Sequence, residues 1–257
     1  MMMNELIKMR IRTLVIFLIM VATLVSLVVL RPFVDQIFGS ITQTQEQIPE
    51  FVRKLLGDPA KLLENLKKDD YYLWSQWFGK NLVQFVPLIA LLIAFPVFSR
   101  EVEHGTIYYL LTRSPRSRVY MSKVLTGLFV NASMLIVLSI LPAFVAWLLK
   151  WNVNYSKFPG YTLHTVCGGT FFLALYMLFS ILSSDQVKPI VLGIIVMIGD
   201  AFLGMLKPLR FLNVYPYMAG TSVYAGHGVD WVYTFSLLIL SVLLLVVGWY
   251  RFKNAEF

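Results

Sequence analysis

The chain has 257 residues, of which 58% are hydrophobic and 14% charged, and its mean hydropathy is +0.71; a soluble domain carries about 25% charged residues and needs them for its surface, so an ordinary soluble fold is excluded. The formal net charge of +8 does not point to nucleic acid, because the basic residues gather at the ends of apolar runs and form no aromatic-interleaved stripe through a polar domain. With Cys167 the single cysteine, there is no internal disulfide and no thiolate metal cluster.

In chain order, residues 1–12 form a basic amphipathic N-terminus containing Lys8, Arg10 and Arg12. Six apolar runs follow, at about residues 13–30, 82–98, 124–149, 163–182, 189–206 and 231–250. At 1.5 Å per helical residue each is long enough to cross a hydrocarbon core about 30 Å thick or nearly so. The first run is too long for a signal-peptide core and has no Ala-x-Ala site behind it, so it reads as a retained span. The second and fifth are among the shortest, and they contain Pro87 and Pro96, and Gly193, Gly199 and Gly204, respectively; bent or closely packed helices are expected there. The fold class is therefore an all-α integral membrane protein with six transmembrane helices.

The external loop, residues 31–81, balances seven basic against seven acidic residues and is long enough to translocate regardless of charge. Asp58 and Pro59 read as the N-cap and first position of an amphipathic helix. Its apolar side carries Leu62, Leu63 and Leu66, and its polar side Lys61, Glu64, Lys67 and Lys68. Tyr71, Tyr72, Trp74, Trp77 and Phe78 then form an aromatic cluster suited to headgroup level. The basic residues of the N-terminus and of the connection between the second and third runs place both termini in the cytoplasm of a cell-membrane protein.

That connection, residues 99–118, is the most informative stretch. Gly105 can end one helical turn in the left-handed conformation, and Thr106 can cap a new one whose Ile107, Leu110 and Leu111 form an apolar stripe. Ser114 reads as the next cap with Pro115 at the first helical position. The product is a short cytoplasmic helix between two spans, with Glu101, Glu103 and His104 before it and Arg113, Arg116 and Arg118 after it. The plain alternative is a solvated juxtamembrane turn whose cations only fix topology.

The ordered run Glu-x-Glu-x-Gly-Thr-x-x-x-Leu-Leu-x-x-Ser-Pro-x-Ser-Arg over residues 101–118, followed by Lys123 and Gly127, resembles the cytoplasmic segment of the ATP-binding-cassette (ABC) type-2 permeases. The basic N-terminus, the long external loop and the closing Tyr250-Arg251-Phe252 are similar to one branch of that family. The resemblance implies that residues 99–118 contain a coupling helix that docks on an ATPase subunit. Glu101, Glu103, Gly105, Thr106, Leu110, Leu111, Arg113, Pro115 and Arg118 would be its coupling residues, although Arg113 stands where the family often has a small or polar residue. It further implies an exporter whose membrane unit holds this chain and a second membrane subunit, identical or homologous, above two ATPase copies that bind ATP and Mg.

The chain itself has no Gly-x-x-x-x-Gly-Lys-Ser/Thr motif, so any nucleotide and its metal belong to another polypeptide, and no cofactor is expected here. His104, His164 and His227 lack metal-ligand spacing, and no nucleophile elbow occurs, so the chain is not expected to be an enzyme. Asp200 is the one carboxylate inside an apolar run. It is a candidate for the translocation path or for an interfacial ion pair with Lys207 or Arg210. Two rival functions stay open: an ATP-driven unit acting mechanically on an external partner, and an ATP-independent transporter or channel.

Overall fold

The computed structural model describes residues 2–33 and 64–256, and these are helical with short connections. We number the helices α1 (Met2–Leu30), α2 (Asp69–Glu103), α3 (Thr106–Arg113), α4 (Arg116–Leu148), α5 (Phe158–Leu182), α6 (Val187–Leu203), α7 (Tyr215–Met218), α8 (Thr221–Tyr224) and α9 (Trp231–Asn254). Among the described residues, five helices are long and apolar enough to cross a membrane: α1, α2, α4, α5 with its preceding turn, and α9. The fifth expected span is α6, which has 17 residues and gives way to a 3₁₀ turn at Lys207–Leu212. At 1.5 Å per residue it is about 25 Å long, so by length alone it falls short of the other five.

The boundaries differ from the hydropathy reading in instructive ways. Residues 1–12 and the first span are not separate pieces, because α1 runs unbroken through Arg10 and Arg12. The aromatic cluster expected in the external loop is instead the N-terminal end of α2, whose Trp74–Leu82 stretch is π-wound and buries Trp77 and Phe78. The expected amphipathic helix from Asp58 to Lys68 lies mostly outside the described residues.

α2 and α5 form the centre of the bundle, with α4, α6 and α9 packed around them and α1 laid against α2 and α4. The most apolar windows of α2 and α5 are 72% and 61% buried, against 22% for both α1 and α9, which leave most of their surface to lipid. Gly169 of α5 is part of the reason the centre closes. A Cβ there would sit 2.3 Å from Leu135 of α4 and 3.1 Å from Val86 of α2. Of the α6 glycines, Gly193 lies against Leu91 and Gly204 against Asn213, whereas Gly199 meets nothing within 4 Å.

Prolines inside membrane helices leave the carbonyl four residues earlier without its amide, and lipid cannot replace it. Pro142 of α4 frees the carbonyl of Leu138, which accepts the indole N–H of Trp77 at 3.0 Å. Pro96 of α2 frees the carbonyl of Leu92, which accepts the Arg12 guanidinium at 3.4 Å. Trp77 and Arg12 are thus built into the helix ladders of their neighbours.

Replacing Trp77 with Phe should lower stability by about 1–3 kcal/mol by stranding a buried carbonyl. The same change in a Pro142→Ala background, where an amide is restored, should cost clearly less. Thermal unfolding of the four proteins in one detergent measures this coupling; equal losses in both backgrounds would refute it.

Candidate functional site

The short helix α3 stands between two defined breaks. Gly105 takes φ 66°, a left-handed conformation that costs glycine nothing and ends α2. On the other side Ser114 and Pro115 are both extended, with ψ of 142° and 148°, and α4 begins at Arg116. Two capping expectations shift by one residue here. Gly105 rather than Thr106 is the N-cap of α3, and Pro115 rather than Ser114 is the N-cap of α4, because Pro115 is itself extended and the first helical residue is Arg116.

α3 has two faces. Ile107 is buried, and Leu110 and Leu111 are half-buried against the bundle. Tyr108 and Tyr109 are 55% and 73% exposed, and Glu103, His104, Thr112 and Arg113 also face outward. A rigid stub of two turns, bound to the bundle by one side and showing aromatic and cationic groups on the other, is suited to docking on another protein.

Its root is a cluster of buried charge. Lys123 of α4 is 0% exposed and lies 3.2 Å from Glu5 of α1 and 3.5 Å from Glu101 of α2. Lys8 of α1 pairs with Glu101 at 2.7 Å and with Glu5 at 3.5 Å. The two carboxylates and two ammonium groups balance, which is the condition for keeping such charges out of water. Glu101 also accepts the Thr106 hydroxyl, so the first residue of α3 is bonded to the last turns of α2. Three membrane helices and α3 therefore meet at one carboxylate.

The expected coupling residues thus divide by position. Glu101 is buried among Lys8, Lys123 and Thr106, whereas Glu103, Arg113, Pro115 and Arg118 are exposed, and Glu103 accepts a hydrogen bond from Gln186 at 2.6 Å across the α5–α6 turn. Arg116 holds the other flank, donating to the carbonyls of Phe252, Lys253 and Ala255 at 3.0, 3.0 and 2.7 Å and tying the end of α9 to the start of α4. Glu5 and Lys8 escaped the sequence reading as site residues. Their partners lie 93 and 118 residues away, and the one local signal was an acid in an otherwise basic N-terminus.

Asp200 is buried near the opposite end of the bundle, where both its oxygens accept the Val214 N–H at 3.2 Å. Lys207 and Arg210 are exposed, and the hydrogen bonds of Asp200 come from backbone rather than from those cations. His164 is likewise absorbed into structure. Its Nε2 accepts the Asp230 N–H at 3.2 Å, which leaves the proton on Nδ1 to be donated to the Tyr217 carbonyl at 3.1 Å.

A family model described as an ABC-2 family transporter protein matches residues 3–257. No curated protein and no solved structure matches the chain.

Replacing Lys123 with Met should cost about 3 kcal/mol or more, since it leaves two buried carboxylates with one partially exposed lysine. Adding Glu5→Gln should recover much of that loss by restoring charge balance. Thermal unfolding in detergent reads both, and a double variant no more stable than Lys123→Met alone would contradict the charge-balance account.

Proposed function

The chain belongs to the ABC-2 transporter family, as a match over nearly its whole length requires, and from that membership we propose that it is an exporter permease in which α3 receives force from the ATPase and Glu101 passes it to α1 and α4. Membership makes it a multi-pass membrane permease subunit that associates with an ABC ATPase. The finer reading has two ATPase copies beneath two membrane subunits, identical or homologous, with both termini on the cytoplasmic side of the cell membrane. ATP and Mg are bound and turned over on the ATPase, and this chain contributes binding and motion.

The observation that carries this reading is the asymmetry of α3. Its outward face, with Tyr108, Tyr109 and Arg113, is free to meet a partner, while its inner side rests on the bundle through Ile107 and through the Thr106 bond to Glu101. When the ATPases close on nucleotide, displacement of α3 strains the Glu101 contacts. Those contacts reach Lys8 and, through Lys123, Glu5, so the strain falls on the α1–α4 pair. A switch of this kind needs a bistable packing that nucleotide binding biases, and α1, mostly in contact with lipid, is the helix least held by the core.

The two roles separate experimentally in the co-expressed complex. Tyr109→Cys should crosslink to cysteines on the ATPase, and Tyr109→Ala with Arg113→Ala should weaken co-purification. Glu101→Gln should leave co-purification intact yet reduce the nucleotide-dependent change in distance between spin labels at Leu18 and Ile140, both exposed on α1 and α4. The loss of coupling should be about tenfold, within the ~1–3 kcal/mol usual for linked sites. An unchanged distance response in Glu101→Gln would refute its transmitting role, and absent crosslinks from Tyr109 would refute the docking face.

A further inference from the structure

On the membrane side of the bundle a cleft of about 460 Å³ runs between α1 and α4, a size within the ~300–1,000 Å³ range of small-molecule sites. Its floor includes Met9, Val130 and Met134, which are 4%, 9% and 5% exposed, and its outer rim includes Leu14 and Val137, 58% and 46% exposed. Two of its three polar side chains are turned away from it. The Thr13 hydroxyl donates to the Met9 carbonyl at 3.0 Å and the Ser133 hydroxyl to the Phe129 carbonyl at 2.6 Å, each along its own helix. The wall of the cleft is therefore apolar.

The third is Arg10. Its basic neighbours on α1 are committed, Lys8 to Glu5 and Glu101, and Arg12 to the Leu92 carbonyl and the Phe95 ring. Arg10 is exposed and, among the described residues, has no hydrogen-bond, ionic or ring partner. It follows Glu5 by five residues, so it lies about 7 Å further along α1 than the buried ion cluster, at the start of the apolar stretch and at the mouth of the cleft. A guanidinium there, beside a trough that leads into the hydrocarbon, meets an anion and an acyl chain at the same place. Phosphate is the anion that matches its planar, two-pronged donor geometry.

We propose that the α1–α4 cleft is a binding site for one anionic phospholipid, its phosphate held by Arg10 and one acyl chain lying on Met9, Val130 and Met134. Such a lipid spans the two helices that the Glu5–Lys123 pair joins at their cytoplasmic ends, so its presence bears on how α1 sits against α4. The proposal does not depend on the transport reading, only on the chain being embedded in lipid.

The test is native mass spectrometry of the full-length chain, purified in detergent, stripped of lipid, and offered phosphatidylglycerol and phosphatidylcholine in equal amounts. The expected result is retention of one phosphatidylglycerol in at least about tenfold preference, equivalent to ~1.4 kcal/mol. Arg10→Gln should abolish the preference, Arg10→Lys should keep most of it, and Val137→Trp should expel both lipids. Equal retention of the two lipids, or a preference untouched by Arg10→Gln, overturns the site. So does efficient disulfide formation between copies of Leu14→Cys in native membranes, which would put a second copy of the chain in the cleft. Because Arg10 is exposed, its variants fold like the parent and decide the matter even where Val137→Trp is lost.

Discussion

An ammonium group with no exposed surface must have its charge answered by the protein, and in this molecule the answer comes from two other helices. Lys123 on α4 is answered by Glu5 on α1 and Glu101 on α2, and Lys8 completes the neutralisation from the partially exposed side. Replacing such a cluster by apolar groups need not weaken a fold, but removing any single member does, because the remaining charges stay buried. The cluster therefore fixes which α1, α2 and α4 arrangements are allowed at the α3 end of the bundle. The other end has partly exposed ion pairs, Arg31 with Asp69 at 3.1 Å and Lys157 with Asp70 at 3.4 Å. Beside them lie neutral links: Trp74 stacks on Tyr224 at 4.0 Å and donates to the Ala219 carbonyl at 2.8 Å, His164 stacks on Tyr217 at 4.2 Å, and Tyr217 shares a hydrogen bond with Thr234 at 2.6 Å.

The contrast has a physical consequence. Ion pairs between lysine and carboxylate tolerate small rearrangements, since an ammonium donates in several directions and can redistribute its bonds between two acids. Aromatic stacks and backbone-directed hydrogen bonds are more exacting in distance and angle. The end of the bundle at Trp74, Tyr217 and Tyr224 is thus held by directional contacts beside its two partly exposed ion pairs, and the end at α3 by a buried cluster able to exchange partners.

How much of this was written in the sequence depends on the range of the interaction. The spans were legible because an apolar run of about 20 residues in a charge-poor chain has one stable solution in lipid. The breaks around α3 were legible because Gly105 and Pro115 restrict the backbone locally, and the family pattern over residues 101–118 made the same stretch functionally conspicuous. The one-residue shifts of both caps are details that spacing does not reveal: the Thr106 hydroxyl goes to Glu101, and Pro115 is itself extended, so that α4 starts one residue later. The beginning of α2 was placed too late because Tyr71 to Phe78 read as an interfacial loop, although their aromatic side chains are equally at home on a buried helix end. Glu5 and Lys123 could not be paired by any periodic rule, since 118 residues separate them. Asp200 was a candidate for the translocation path or for an ion pair with Lys207 or Arg210; the donor it meets, the Val214 N–H, belongs to a connection whose path hydropathy does not determine.

The same distinction explains why α1 is the helix to follow. α2 and α5 are locked by close packing at Gly169 and by the Ser180 hydroxyl, which donates to the Phe95 carbonyl at 2.7 Å beside the Pro96 break and accepts the Phe98 and Ser99 amides at 3.1 and 3.0 Å. α1 has a narrow buried stripe, Met9, Ile16, Met20, Leu24 and Leu27, together with the Arg12 guanidinium on the Leu92 carbonyl and, at the far end, the Tyr72 hydroxyl on its Leu27 carbonyl and the Arg31–Asp69 pair just beyond it. A stripe of that kind can tilt or slide against its neighbours without opening the core, because lipid and protein offer its side chains similar surroundings. Its N-terminal end cannot do so freely, being held by Glu5 and Lys8. Glu101 is linked directly to α1 through Lys8, and the far end of α1 is held by the Tyr72 hydroxyl on the Leu27 carbonyl.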